Sequence, residues 1–466
     1  MQDLAVVILA AGKGTRMKSA TPKLLFDLAG RPLGAWPVAA ALALHPTRVI
    51  VVVGHGRETL VPALQARFPH APLAFAVQHR QLGTGHALRC ALPALPPATR
   101  RVLVLCGDAP LVRPEPLRSL LVRSRRQTLG LLTSVVADAA MYGRVVRDHH
   151  GRVARIVEHR DASPAERALR EVNPAVYTGD VDFLRHALRR LRRANAQGEL
   201  YLTDVVALAA REPGGVADLL VPFDDLRGVN NRAELAAAET TMLARLRHRW
   251  QLAGVTIRQP ATVRIDADVR LAPDVELGPG VQLLGSTTVA AGATIDAGCV
   301  LRNTTVGPHA TLLPYVVATE ARIEREARVG PFAHLRPRSV VGRAAHVGNF
   351  VETKNTVLHE GAKANHLAYL GDGEIGARTN VGAGTIFCNY DGFAKWRTVL
   401  GEDVFIGSDS QLVAPVTVGD RAYVASGSTI VADVPPDALA VARGHQEIKP
   451  DYAPRLRRRL RARKPR

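Results

Sequence analysis

Apolar residues recur at every sixth position over a long stretch of this chain, from about Val255 to Val434. The beat runs Val263, Val269, Val275, Val281. It returns at Val317, Ile323, Val329, Leu335, Val341 and Val347, then at Ile375 and Val381, and again at Ile406, Leu412, Val418, Val424 and Ile430. Glycine follows many of these positions, as in Val341-Gly342, Val347-Gly348, Ile375-Gly376 and Ile406-Gly407. A helix repeats at about 3.6 residues and a strand at about two, so neither yields a strict six. Six residues suit one flat side of a parallel β-helix. A short strand points its apolar side chain into a prism, and small residues turn the corner. Gly-rich strands of an ordinary sandwich are the competing explanation, and the even spacing disfavours them.

The first half reads differently. Residues 4–11 form a continuous apolar run, as a central parallel strand should, and lead into Gly12-Lys13-Gly14-Thr15-Arg16-Met17 and Pro22-Lys23. A Gly-rich loop between strand and helix offers backbone N–H groups to phosphates, and Arg16 and Lys23 add fixed positive charge. The spacing matches neither Gly-x-Gly-x-x-Gly nor a Walker loop, which disfavours dinucleotide and P-loop chemistry. Further strands are expected at 48–53, 74–78 and 101–105, each ending in a loop: Gly54-His55-Gly56, Gln81-Leu82-Gly83-Thr84-Gly85-His86 and Cys106-Gly107-Asp108. Such alternation predicts a doubly wound α/β sheet whose ligands lie beyond the carboxyl ends of its strands. Asp108 closes an apolar strand. From there a carboxylate can hold Mg²⁺ on a triphosphate, or simply cap a turn. Residues 145–148 and 153–158 read as a hairpin around the polar turn His149-His150-Gly151, and Gly198 to Asp204 opens a helix. Residues 231–250 read as a polar helix with Leu235, Met242, Leu246 and Trp250 along one side.

Totals narrow the picture. The 466 residues carry a net charge of +19 and are 47% hydrophobic, enough for two or three domains with sizeable cores. Four cysteines without a Cys-x-x-Cys pair point to reduced thiols in a cytoplasmic protein and away from zinc. The apolar run at the start is too short to span a bilayer and lacks a basic leader. Eight of the positive charges fall in the last thirteen residues, leaving +11 for the rest. That tail reads as a solvated, disordered end, with nucleic acid or a membrane surface as the other reading. The remaining excess suits phosphorylated ligands.

Four stretches, Leu9-Ala-Ala-Gly-Lys-Gly-Thr-Arg-Met17, Gln81-Leu-Gly-Thr-Gly85, Gly107-Asp108 and Gly228-Val-Asn-Asn231, resemble the sugar-nucleotide pyrophosphorylases. With the hexad half attached, residues 1 to about 447 resemble the bacterial bifunctional enzymes of UDP-N-acetylglucosamine synthesis. In that family a glucosamine-1-phosphate N-acetyltransferase is fused to an N-acetylglucosamine-1-phosphate uridylyltransferase. The resemblance implies a Rossmann-like nucleotidyltransferase domain over 1–230, a helical linker over 231–252 and a left-handed parallel β-helix over 253–450. The basic tail occupies 451–466. It also implies a homotrimer packed through the coils, with small-molecule substrates, no specific nucleic acid and no membrane span.

Carried over by position, the resemblance places UTP or the sugar nucleotide on Leu9, Ala10, Ala11, Gly12, Lys23, Gln78, Gly83 and Thr84, beside Cys106 and Gly107. The sugar falls to Gly143, Glu158 and Asn173, and Mg²⁺ to Asp108 and Asn230. Arg16 and Lys23 would neutralise charge while a sugar phosphate attacks UTP. In the second half Arg336 and Lys354 would bind the sugar phosphate. His366 would act as general base, oriented by Glu352. Tyr369 and Asn380 would hold the sugar. Ala383, Asn389, Tyr390, Ser408, Ser426 and Arg443 would line an acetyl-CoA groove. The hexad beat breaks at Asn389-Tyr390-Asp391-Gly392, where a loop must leave the coil.

The chain departs from the family at several of these points. Cys106 stands where the family has Tyr, and Asn173-Pro174-Ala175 where it has Asn-Thr-Gly. Pro174 lacks an N–H and Ala175 disfavours positive φ. Asn365 replaces Gly, Ser426 replaces Ala, and Gly444-His445 replaces Val-Pro. Two other readings stand beside the bifunctional one. In the first, a pyrophosphorylase for another hexose uses its coil only for assembly or regulation. In the second, the chain is a catalytically silent scaffold. His366, Asn389-Tyr390 and Arg443 argue against the first; Asp108, Asn230 and Lys23 argue against the second.

Overall fold

The computed structural model describes residues 3–463. It divides into two compact units that meet in sequence at Leu246 and Arg247. The expected linker is one helix, Arg232–Leu252, and the division falls inside it. Asn231 caps its start, accepting from Glu234 N at 2.9 Å, while Glu234 accepts from the Asn231 amide at 2.7 Å. The first bond satisfies a donor that the first helical turn leaves unpaired, and the second ties the two side chains together.

The first unit is built on a ten-stranded sheet. The strand order is Leu73–Val77, Arg48–Val53, Leu4–Ala10, Arg101–Cys106, Tyr177–Asp180, Leu129–Val135, Glu171–Asn173, Gly143–Arg147 and Val153–Val157. Val216–Leu220 pairs with Leu129–Val135 off this path. The first four strands are parallel, as the alternation of strand and helix predicts. In the inner three, Leu9 apart, the Val, Ile and Leu side chains are buried on both faces, while the edge strand Leu73–Val77 is mostly half-buried. The sheet as a whole is mixed. Tyr177–Asp180 runs antiparallel to both neighbours, and Gly143–Arg147 with Val153–Val157 forms the expected hairpin. Parallel neighbours need a crossover of a dozen or so residues. Between Leu129 and Asp180 the longest helix is four residues, Pro164–Arg167, so this region pairs antiparallel instead.

The second unit is a parallel β-helix, consistent with the left-handed form of hexapeptide-repeat coils. One flat side is an eleven-stranded sheet; the other two are joined as a seventeen-stranded sheet. Each strand pairs with the strand one coil on: Gln282 with Val300, Thr288 with Thr305, Thr294 with Thr311. A coil is therefore 17 or 18 residues, three sides of about six. The apolar beat fills the prism, from Val263 through Val281 to Ile430.

Val317 breaks the expectation. It is 40% exposed, and its neighbours Val316 and Ala318 take the interior instead. The cause is a shortened side. Inward positions step by five from Leu301 to Val306 and from Ala318 to Ile323, so a strict count of six loses phase there. Nor do small residues alone turn the corners. Tyr315, Phe332, Phe350 and Leu367 all sit at positive φ, a conformation that costs an L-residue roughly 1–2 kcal/mol. The three aromatic rings stack, with centroids 5.3 Å apart, which offsets part of that cost.

The basic tail, expected to be disordered, forms the helix Tyr452–Ala462 in the described residues. Leu and Arg are good helix formers, and Tyr452, Leu456 and Leu460 share one side at a spacing of four. Residues 464–466 lie outside the described part. Among the described residues no helix is long and apolar enough to cross a membrane.

Phe387 is the largest wholly buried side chain, and it packs where a Cβ on Gly373 would lie 2.5 Å from its ring. Phe387→Ala is expected to lower stability by about 3–5 kcal/mol. The check is the thermal unfolding transition of this unit; an unchanged midpoint would mean that the coil refills the space.

Candidate functional site

Three parallel strands of the first unit end at a common edge, and the loops after them enclose a cleft of about 290 Å³. Its walls include Leu9, Ala10, Ala11, Gly12, Lys23, Gln78, Gly83, Thr84, Cys106 and Asp108. Every residue expected to hold the nucleotide, Gly107 apart, is on that wall. Gly107 lies behind it, donating its N–H to Leu9 O at 2.9 Å and so tying the two strand ends together. Gly83 has φ +101°, and a Cβ there would lie 2.6 Å from Leu200 O, so no other residue fits without a shift. Gln81, absent from the expected set, donates to Ala11 O at 2.6 Å and holds the Gly-rich loop.

A second cleft of about 270 Å³ shares Cys106 and Asp108 with the first. Arg16, Gly143, Glu158, Asn173 and Asn230 line it, which brings the expected sugar residues together. The Lys23 ammonium, on the wall of the first cleft, lies 2.5 Å from Asp108 Oδ2 and 3.3 Å from Asn230 Oδ1 of the second. Arg16 donates to the same Asn230 oxygen at 2.8 Å. One ammonium spans both oxygens, so both lie close enough to serve a single cation. Among the described residues no cluster of three or more His, Cys, Asp or Glu could hold a metal. A hard cation here would take its remaining oxygens from phosphates and water, as Mg²⁺ does, and the two oxygens fit that pattern.

Burial pushes the Cys106 thiol up to about 12, so it stays neutral. Burial also raises the Glu158 carboxyl, against a hydrogen bond from Thr203 at 3.1 Å that lowers it. Ala175 takes φ +60°, the conformation that a glycine would adopt freely. Asn173 Oδ1 holds it there by accepting from Ala175 N at 3.0 Å.

On the coil, Arg336 donates to Glu352 at 2.8 Å, and Lys354 lies 3.6 Å from Asp372. Register places Glu352 beside Tyr369 and Lys354 beside Gly371. Burial alone would raise the Asp372 carboxyl; hydrogen bonds from Asn355 and Asn389 and the Lys354 charge outweigh it and lower it. The adjoining Lys354 lowers the Lys395 ammonium, with Arg336 adding to the effect. Three cations thus crowd one patch. Lys395 and Asp372 were missed in the sequence because one lies in the off-beat loop and the other in a coil strand, and only the fold makes them neighbours.

His366 is exposed and faces away from the prism interior. Its partner is not the expected Glu352. The ring Nδ1 meets Asn349 Oδ1 at 2.6 Å, and Glu352 is engaged by Arg336. In a coil the lateral neighbour lies one turn away, and His366 pairs in register with Asn349. Asn380 lies on the same flat side, in the strand that pairs with Lys363–His366. Ala383, Ser408 and Ser426 follow one another along one corner: Asp409 N donates to Ala383 O, Gly427 N to Ser408 O, and Arg443 to Ser426 O at 2.8 Å. The expected loop leaves the coil between paired strands. Glu374 pairs with Val399, 25 residues on instead of 17 or 18. Asp391 holds the loop by accepting from Ala394 N, Trp396 Nε1 and Phe393 N, and these bonds lower its carboxyl to about 2. Tyr390 and Phe393 are exposed on it, Phe393 by 98%.

Residues 6–202 match the MobA-like NTP transferase domain, and residues 397–432 match the bacterial transferase hexapeptide (six repeats). The chain is 52% identical to the bifunctional protein GlmU of Sorangium cellulosum, over 98% of this chain and 97% of that protein. It is 49% identical to the GlmU of Anaeromyxobacter sp. strain Fw109-5, covering 97% and 93%. It is 46% identical to that of Stutzerimonas stutzeri, covering 95% and 97%. The chain belongs to the GlmU family. Both halves of the GlmU architecture are therefore present, and the two sites above lie one on each half.

Glu158 gives a test of the electrostatics of the second cleft. Its folded pKa lies above the ordinary 4.5, so ionisation costs stability. The contribution is fully present below the ordinary value and is lost as pH rises through the raised one. Glu158→Gln is expected to match the native chain in acid and exceed it in thermal midpoint at neutral pH. Identical pH profiles for the two proteins would show that Glu158 carries no such cost.

Proposed function

We propose that the chain acetylates glucosamine 1-phosphate with acetyl-CoA on the coil. It then transfers uridylyl from UTP to the N-acetylglucosamine 1-phosphate so formed, giving UDP-N-acetylglucosamine and pyrophosphate. The observation that carries the reading is the shared wall of the two clefts. Nucleotide residues lie on one side and sugar residues on the other; Asp108 lines both, and Lys23 of the first cleft reaches it and Asn230 of the second. A sugar phosphate and a nucleoside triphosphate bound there would meet at that wall.

The first unit asks for little covalent chemistry. A phosphate oxygen of the sugar attacks the α-phosphorus, and pyrophosphate leaves. Arg16 and Lys23 neutralise the charge and hold the two phosphates in line. Asp108 and Asn230 would hold Mg²⁺, which supplies a Lewis acid on the triphosphate when bound.

On the coil, Arg336, Lys354 and Lys395 would receive the sugar phosphate, with Tyr369 and Asn380 on the sugar. His366 Nδ1–H donates to Asn349 Oδ1, an acceptor, so the Nε2 lone pair is left for the amine proton. The same bond holds the ring as charge develops on it. Ala383, Asn389, Tyr390, Ser408, Ser426 and Arg443 would line the cofactor groove. The protein acts as a cytoplasmic homotrimer assembled through its coils, and the intermediate diffuses from one site to the other.

Assay with glucosamine 1-phosphate, acetyl-CoA, UTP and Mg²⁺, following free thiol and pyrophosphate separately, tests this. His366→Ala should lower acetyl transfer by about 10²–10⁴-fold and spare uridylyl transfer from supplied N-acetylglucosamine 1-phosphate. Asp108→Ala should do the reverse. Loss of both activities in a folded protein from either change would sink the division of labour.

A further inference from the structure

We propose that His86 is a positioning residue that sets base selectivity: it helps fix the Gln78 amide so that Oε1 stands in the nucleotide cleft as an acceptor for the imide N–H of uracil. This rests on the reading of the cleft as a UTP site.

The orientation follows from donors and acceptors. Gln78 comes directly after the strand Leu73–Val77, is buried, and has its backbone N–H held by Val53 O at 2.8 Å. Its side-chain nitrogen lies 3.0 Å from Gly83 O, which can only accept, so that nitrogen is the NH₂ group. The same nitrogen lies 3.0 Å from His86 Nδ1. A donor faces Nδ1, so Nδ1 must be the unprotonated nitrogen of the ring. The ring hydrogen is then on Nε2, and Cys90 Sγ, a weak acceptor, lies 3.8 Å from that nitrogen and 3.9 Å from Nδ1. Imidazole, amide and carbonyl form one chain of donors and acceptors.

Burial lowers the His86 pKa, the Arg89 charge reinforces it, and the ring stays neutral near pH 7. Both amide hydrogens of Gln78 are then in use. Its Oε1 has no hydrogen-bond partner within the described chain, and the residue lines the cleft. Rotating the amide would turn that oxygen against the lone pair of Gly83 O and would require the His86 proton to move from Nε2 to Nδ1. Uracil presents an N–H at N3, and cytosine presents a lone pair there. A fixed acceptor therefore favours UTP over CTP. Gly83 holds one amide hydrogen through the backbone, so His86 is the part of the lock that a side-chain change can remove.

The experiment compares kcat and KM for UTP and CTP in the full-length protein and in His86→Phe and His86→Asn, with acetyl transfer and thermal midpoint followed alongside. Phe offers no acceptor. It should raise KM for UTP with kcat retained and shrink the UTP-over-CTP preference by about tenfold. Asn offers a carbonyl at the place of Nδ1 and should recover most of the preference. An unchanged UTP-to-CTP ratio in His86→Phe would overturn the inference, as would a fall in kcat for both nucleotides at a constant ratio, the mark of a merely structural role. If the native protein releases pyrophosphate from neither nucleotide, the nucleotide reading fails first and the inference with it.

Discussion

Lateral register between successive coils is the constraint on which the second half of this protein depends. Parallel pairing at a period of 17 or 18 residues makes each side chain the neighbour of one nearly a full turn away. Sequence proximity then says little about contact. Glu352 and His366 are fourteen positions apart and lie on different flat sides, while Asn349 and His366 are seventeen apart and touch. The same rule gathers Arg336 and Glu352, Lys354 and Asp372, and Asn355 with Asn389 around one carboxylate. Because successive coils are hydrogen-bonded strand to strand, the coil can carry charged side chains outward at fixed heights without loss of order. The proposed acetyl-transfer site is a product of that rigidity.

The first unit solves a similar problem by different means. Four parallel strands end at one edge, and the loops after them converge because the strands do. Asn230 reaches the edge from outside the sheet. Its N–H is held by Glu234 at 2.7 Å, and the neighbouring Val229 N–H bonds to Asp108 O at 2.8 Å. The start of the long helix and the end of a central strand are thereby clamped together. Asp108 and Asn230 are 122 positions apart in the chain, yet a single ammonium bridges them.

Much of this was legible in the sequence. The hexads announced the prism because the interior admits only apolar side chains at a fixed period. The run from Leu4 to Gly12 announced the central strand and its loop. Three things were not legible. Shortened sides moved the inward position off Val317, since a five-residue step leaves no mark in composition. The antiparallel half of the sheet followed from missing crossovers, which become visible only once strand ends are known. The partner of His366 depended on the coil length at that one turn. The resemblance named His366 and Glu352 together, but only the register could say which atoms meet.

The departures on the sugar side illustrate how a fold absorbs a poor local choice. Ala175 sits in a conformation that disfavours a side chain, and Pro174 before it supplies no N–H. Two groups hold the segment in place. Asn173 accepts from Ala175 N, and the neutral Cys106 thiol lies 3.9 Å from Ala175 O. Asn173 therefore spends one oxygen on its own backbone and its amide nitrogen on Tyr177 OH. Oxygen has two lone pairs, so one acceptor position remains for a sugar hydroxyl. A thiol at position 106 is a weaker partner than a phenol for the same carbonyl. In the proposed sugar site, binding strength then falls more to Glu158 and to the phosphate end, where Arg16 and Lys23 stand. On that proposal the site relies more on charge, and less on hydrogen bonding to the sugar ring, than the resemblance alone would imply.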